Sequence, residues 1–105
     1  MQTIPNKRVR NTSKTIEATN TRISESLIGR PQARVALVLK NTSLAGEKIT
    51  IAIGQDAILG QGVVLNQNDT FPLSQDGAYF PPQDVVNAIA DVGTATLSIY
   101  EEQVD

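Results

Sequence analysis

The stretch that decides the fold is "ARVALVLKNTSLAGEKITIAI", residues 33–53. Two runs in it alternate between apolar and polar side chains with a period of two, and a turn containing Gly46 separates them. This alternation is typical of half-buried β-strands. It predicts two strands that form an antiparallel hairpin or lie side by side, with Arg34 on the outer face. The predicted inner face consists of Val35, Leu37, Leu39, Ile49, Ile51 and Ile53.

Three further runs downstream have strand character: "GVVL" at 62–65, "DVVNAIAD" at 84–91 and "TATLSIYEE" at 94–102. The second run is apolar on both faces, and we assign Val85 and Ile89 to the inner one. In the third run the alternation places Leu97 and Ile99 on the inner face. Three prolines make residues 70–82 loop-like, because proline is excluded from a central ladder. Five or six short strands separated by turns predict an all-β fold, a small antiparallel β-sandwich or a jelly-roll-like barrel.

The first third of the chain is different in composition. Residues 1–31 are rich in Asn, Thr and Ser, and their apolar residues are too widely spaced to form a core. Residues 1–34 have a net charge of +5 and residues 35–105 a net charge of −7. These features predict an extended basic N-terminal arm over residues 1–31 and a β-sandwich body over residues 32–105.

A basic arm on an acidic body predicts a partner for the arm. Its apolar side chains would fill shallow pockets of another protein, and its cations would pair with that protein's carboxylates. The predicted contact residues are Ile4, Lys7, Arg8, Val9, Arg10, Lys14, Ile16 and Ile23. Nucleic acid is the alternative partner, because basic arms bind phosphate without reading sequence. It is not favoured, because every aromatic residue lies in the acidic body.

Two long connections, Gly54–Gly62 and Phe71–Pro82, are candidates for contact with other subunits, since long loops often carry interaction surfaces. Their apolar anchors would be Ile58, Leu59, Tyr79 and Phe80. The alternative for the first loop is local packing over the sandwich. A chain of this length has a small core, so homo-oligomerisation or docking on a larger assembly is expected.

The residue types present leave little room for catalysis. The chain has no histidine and no cysteine, so histidine-based triads and thiol chemistry are excluded. Its aspartates lie in or beside loops, where Asp commonly serves as a turn residue. We predict no enzyme activity, no cofactor and no metal, with calcium in the oxygen-rich turns "NQND" and "SQDG" left open. No apolar run approaches the ~20 residues of a membrane span.

The stretches "RVALVLKNTSLAGEKITIAIGQDAILGQGVVLNQNDTFPL" and "VNAIADVGTATLSIYEE" resemble small structural proteins of bacteriophage particles. The resemblance covers residues 33–102 and rests on structural motifs. It implies a virion structural protein, a minor or decoration subunit that is assembled in the host cytoplasm and anchored to the major capsid protein or other virion subunits. A vertex (penton) or spike-base protein forming a symmetric ring is the alternative, and a nucleic-acid-binding module is a third.

Overall fold

The computed structural model describes residues 7–105, and these residues form eight strands and no helix. The all-β prediction is therefore confirmed. No helix long and apolar enough to cross a membrane occurs in this part of the chain. The strands are β1 (Lys7–Ile16), β2 (Thr21–Ser24), β3 (Ala33–Asn41), β4 (Ile49–Ile53), β5 (Val63–Leu65), β6 (Thr70–Ser74), β7 (Val86–Ala90) and β8 (Ala95–Val104).

The strands form two four-stranded antiparallel sheets. Sheet A has the order β1-β8-β3-β6, and sheet B has the order β2-β7-β4-β5. The chain crosses from one sheet to the other at every connection except that between β4 and β5, which are neighbours in sheet B. This is the connectivity of a jelly roll. Strands β1 and β6 are the edges of sheet A, and β2 and β5 are the edges of sheet B.

A single apolar core lies between the two sheets. Six residues that the alternation placed on inner faces are buried in it: Leu37, Leu39, Ile49, Ile51, Leu97 and Ile99. Ile53 is partly buried and packs against this cluster. The period-two pattern of β3, β4 and β8 therefore identified the correct inner face over most of their length.

Two predictions about the strands are wrong. Strands β3 and β4 lie in opposite sheets and do not pair, because residues 42–48 cross from one sheet to the other. In β7 the inner residues are Val86, Ala88 and Ala90, whereas Val85 and Ile89 are only partly buried. The second error arises because both faces of this strand are apolar, so the period of the sequence does not select one.

The segment 70–74 was predicted to be a loop and is instead edge strand β6. Pro72 lies at its centre, opposite Val38 of β3. Proline is compatible with a strand only where its missing N–H is not needed, and an edge supplies such a position.

The predicted boundary between an arm and a body also fails. Residues 7–16 pair with β8 and residues 21–24 pair with β7, so both segments belong to the sandwich. Ile16 is 0% exposed and Ile23 is 3% exposed, and both belong to the core. The prediction of an arm failed because β1 and β2 each contribute few apolar residues to the core. Ile4 lies outside the described residues.

A β-bulge in β3 changes the orientation of Arg34. The register with β8 shifts between Arg34 and Ala36, so Val35 is the extra residue on this strand. A bulge lets two residues of one strand oppose one residue of its partner. Arg34 therefore points inward, like Leu37, and the prediction of an outward Arg34 is wrong.

Candidate functional site

One end of the core is ionic rather than apolar. The inward residues of β8 are Ala95, Leu97 and Ile99, and the next inward position is Glu101. The Nε atom of Arg34 donates to Oε2 of Glu101 at 2.6 Å, and both side chains are almost fully buried. The pair therefore continues the interior of the sandwich beyond its apolar part.

The guanidinium of Arg34 holds three chain segments together. Besides Glu101, its donors reach Ser24 Oγ at 2.7 Å and the carbonyl of Glu25 at 3.1 Å. They also reach the carbonyls of Pro82 at 2.7 Å and Asp84 at 3.1 Å. The buried charge thus has hydrogen-bond partners in β8, β2 with its following loop, and the β6–β7 loop, which is the condition for keeping an arginine inside a protein.

The carboxylate of Glu101 is equally well satisfied. Ser24 Oγ donates to its Oε2 at 2.7 Å, and Arg10 Nη2 donates to its Oε1 at 3.1 Å. Burial raises the pKa of Glu101, but the hydrogen bonds from Arg34 and Ser24 and the charges of Arg34 and Arg10 outweigh it. The pKa therefore lies below the usual glutamate value, and the group is ionised at neutral pH.

This network is a structural element that the sequence analysis missed. Arg34 was placed on the wrong face, and Glu101 was not singled out. The available signal was the alternation Ala95, Leu97, Ile99, which places Glu101 on the same inward face. A charge on the inner face of a strand predicts a buried partner.

A basic groove lies beside this network, between β1 and β2 with the β2–β3 loop. Its volume is about 660 Å³. Five cations line it, against the two carboxylates Glu25 and Glu101. We use the name "basic groove" for this concavity, and its cations are Arg8, Arg10, Lys14, Arg22 and Arg30.

The predicted arm cations have partners within the chain. Lys7 pairs with Glu102 at 2.9 Å, and Arg8 pairs with Asp105 at 3.5 Å. Lys14 Nζ donates to a main-chain carbonyl, that of Arg22, at 2.7 Å. With the Arg10 contacts above, all four contact their own sandwich. Their pairing with another protein's carboxylates stays a prediction.

Among the predicted apolar contacts of the arm, Ile16 and Ile23 are unavailable to a partner because they are buried in this chain's own core. Packing inside one sandwich removes them from any surface. Val9 is half exposed on β1. Of the predicted apolar contact residues that the structure describes, it is the one that is still able to contact another protein.

The loop 54–62 folds back across the outer face of sheet B. Asn87 Nδ2 donates to the carbonyl of Gln55 at 2.7 Å, and the Ala57 N–H donates to Asn20 Oδ1 at 2.6 Å. The Gly60 N–H reaches Thr50 Oγ1 at 3.1 Å. Local packing thus accounts for the ends of the loop.

Four apolar side chains predicted as anchors remain at the surface. Ile58 and Leu59 are 49% and 50% exposed, and Tyr79 and Phe80 are 48% and 58% exposed. The first loop begins beside the segment that follows the second one, because the Gly54 N–H donates to the Val85 carbonyl at 2.8 Å. Their contact with another subunit stays a prediction.

Among residues 7–105, no group of three or more acidic side chains is placed to hold a metal ion. The Oδ1 atom of Asn87 is buried without a hydrogen-bond partner in this part of the chain. Its amide nitrogen is engaged by the loop above it, so the side chain serves to fix that loop.

The geometry defines a jelly-roll β-sandwich closed at one end by an ionic network. No family model matches the chain, and no curated protein matches it. Among solved structures the chain is similar to one described as "Bacillus endospore appendages form a novel family of disulfide-linked pili", with a TM-score of 0.62 and 14% identity. The alignment covers 99% of this chain and 88% of that one. At this identity the likeness concerns the fold.

Proposed function

We propose that the chain is a non-enzymatic structural subunit that associates with copies of itself in a larger assembly. The observation that carries this proposal is the half-exposure of large apolar side chains on two loops, Ile58 and Leu59 on one and Tyr79 and Phe80 on the other. Neighbouring large apolar side chains exposed on a loop are candidates for protein contact. The chain also has no histidine or cysteine with which to perform chemistry at such a surface.

Two observations, one structural and one from the sequence, indicate which kind of assembly the chain could form. The likeness to a pilus protein supports a filament, in which head-to-tail contacts repeat without closing. The resemblance of residues 33–102 to phage structural proteins supports a minor or decoration subunit of a virion, with a vertex or spike-base ring as its alternative. This chain has no cysteine, so contacts between its copies rest on packing and polar interactions rather than on disulfides.

The test compares two variants that each replace exposed apolar residues. Leu59→Ser with Phe80→Ser removes one anchor from each loop. Leu44→Ser removes a residue that is 92% exposed in the β3–β4 connection, outside both loops. We expect light scattering to show a smaller mass for the loop variant than for the wild type, with the melting temperature almost unchanged. The Leu44 variant should keep the wild-type mass.

Electron microscopy of the same samples separates the assemblies. Filaments would favour a subunit of an appendage, and closed rings would favour a vertex or spike-base subunit. Binding to phage shells without self-association would contradict association between copies of the chain and would leave the role of a decoration subunit. A wild-type protein that stays monomeric and forms neither polymer nor shell complex would overturn the proposal.

A further inference from the structure

Three of the four edge strands are poorly suited to receive an additional strand. In β2 the carbonyls of Arg22 and Ile23 already accept hydrogen bonds from Lys14 and Arg10. Strand β6 contains Pro72 at its centre and so lacks one N–H donor. Strand β5 spans three residues, Val63–Leu65, which offers few ladder positions.

Strand β1 is the exception. It runs over ten residues and contains no proline, and among the described residues β8 is its single neighbour in sheet A. Nine of its ten residues are exposed, and Ile16 alone is buried. A long edge strand of this kind is a template for main-chain pairing with another polypeptide.

The charge of β1 restricts what can pair with it. An antiparallel pair of two β1 strands centred on Asn11 places Arg8 opposite Lys14, and one centred on Thr12 places Arg10 opposite Lys14. Like charges directly opposite each other destabilise a sheet. The two symmetric registers that would pair most of β1 with a second copy of itself are therefore disfavoured.

The basic groove beside β1 favours the opposite charge. Its lining has five cations against two carboxylates, and one of those carboxylates, Glu101, is already matched by buried Arg34. Arg8, Arg10 and Arg22 pair with Asp105, Glu101 and Glu25 but remain about half exposed or more. Among the described residues, Lys14 and Arg30 of the groove have no carboxylate within salt-bridge distance. The lining contains no aromatic side chain, so the groove has no surface on which nucleic acid bases would stack. An extended acidic polypeptide would complement the positive charge of the basic groove. Its main chain would also form hydrogen bonds with the free edge of β1.

We propose that β1 accepts an extended acidic segment of another protein as an additional strand of sheet A, with its carboxylates beside the basic groove. Main-chain hydrogen bonds to β1 supply affinity, and the cations select negatively charged side chains. The proposal goes beyond self-association, because a single copy of the chain has the complete surface.

The experiment measures binding of a labelled eight-residue peptide of alternating glutamate and valine by fluorescence anisotropy. Arg8→Ala with Arg30→Ala removes two exposed groove cations and should weaken binding by about tenfold. Lys40→Ala with Lys48→Ala removes two exposed cations outside the groove lining and should change binding by less than about twofold. Amide exchange in β1 should slow when the peptide is bound.

Two further probes decide between charge and strand addition. A peptide with proline in place of valine keeps the charge but loses N–H donors, and it should bind at least about tenfold more weakly. Equal binding of this peptide, or no binding of the first, would overturn the proposal. Tighter binding of an eight-nucleotide single-stranded DNA than of the acidic peptide would overturn it in favour of nucleic acid. The self-association test is independent of all these outcomes.

Discussion

Arg34 and Glu101 form an ion pair of 2.6 Å inside the sandwich, between strands β3 and β8 of the same sheet. The pair stands where the apolar core ends, and it ties the β2–β3 and β6–β7 loops to sheet A through the other donors of Arg34. Such a pair contributes little when intact, because desolvation offsets its attraction, but removing one partner leaves a buried charge uncompensated.

Replacing Glu101 with glutamine should therefore destabilise the fold strongly. The charge of Arg34 would remain buried without a counter-charge, at a cost of about 3 kcal/mol or more. Denaturant unfolding of the variant and the wild type measures this difference. Glu102→Gln is the control, because Glu102 contacts Lys7 at the surface. This variant should lose less than about 1 kcal/mol of unfolding free energy. Equal losses in the two variants would show that removing the buried Glu101 charge costs no more stability than removing the Glu102 charge at the surface.

The lowered pKa of Glu101 predicts a loss of stability in acid. The carboxyl binds protons more weakly in the folded chain than in the unfolded one. Its contribution is thus fully present above the unfolded pKa of about 4.3 and is lost as the pH falls from there through the folded pKa. Unfolding free energies measured from pH 7 to pH 3 should show a smaller acid loss for Ser24→Ala, which removes a donor to this carboxylate. An unchanged loss in that variant would contradict the assignment.

The extent to which sequence predicted the structure depends on how each strand is patterned. Strands β3, β4 and β8 alternate clearly, and Leu39, Ile51 and Ile99 were placed correctly. The bulge at Val35 has no such signature, so Arg34 was turned to the wrong side. Strands β1 and β2 were missed because their polar exposed faces outweigh two core residues, and only the tertiary pairing with β8 and β7 identifies them.

A matched pair of isoleucine variants tests the corrected inner face of sheet B. Ile51 is 1% exposed in the core, and Ile89 of the neighbouring strand is only partly buried. Ile51→Ala should cost about 2–5 kcal/mol, because it removes buried methyl groups and leaves a cavity. Ile89→Ala should cost less than half as much in the same unfolding assay. Similar losses in the two variants would restore the original assignment, in which both residues face inward.

Gly62 should be the most sensitive glycine of the 54–62 loop. Its φ is +137°, and a Cβ on it would collide with the carbonyl oxygen of Ile51. Gly60 has a φ of +79° but open space around it. Thermal unfolding should therefore show a loss of about 3 kcal/mol for Gly62→Ala and about 1 kcal/mol for Gly60→Ala. Similar losses would mean that backbone conformation alone, without the collision, sets the cost.

The N-terminal strands should be essential for folding rather than dispensable. Deleting residues 2–28 removes one edge of each sheet, together with Ile16, Ile23 and the Ser24 hydroxyl that both Arg34 and Glu101 bind. The shortened chain should lose its cooperative unfolding transition, because the buried ion pair would be exposed along one side.

Two point variants of the full-length protein distinguish a role of the N-terminal strands in folding from a role as a tether. Ile16→Ser buries a hydroxyl in the core and should cost several times more unfolding free energy than Val9→Ser, which changes a half-exposed residue of the same strand. A strand that only tethers the chain to a partner would instead show the larger effect for Val9 in assembly and no effect of Ile16 on stability. That result, together with a variant lacking residues 2–28 that still folds, would show that residues 7–24 act as an arm.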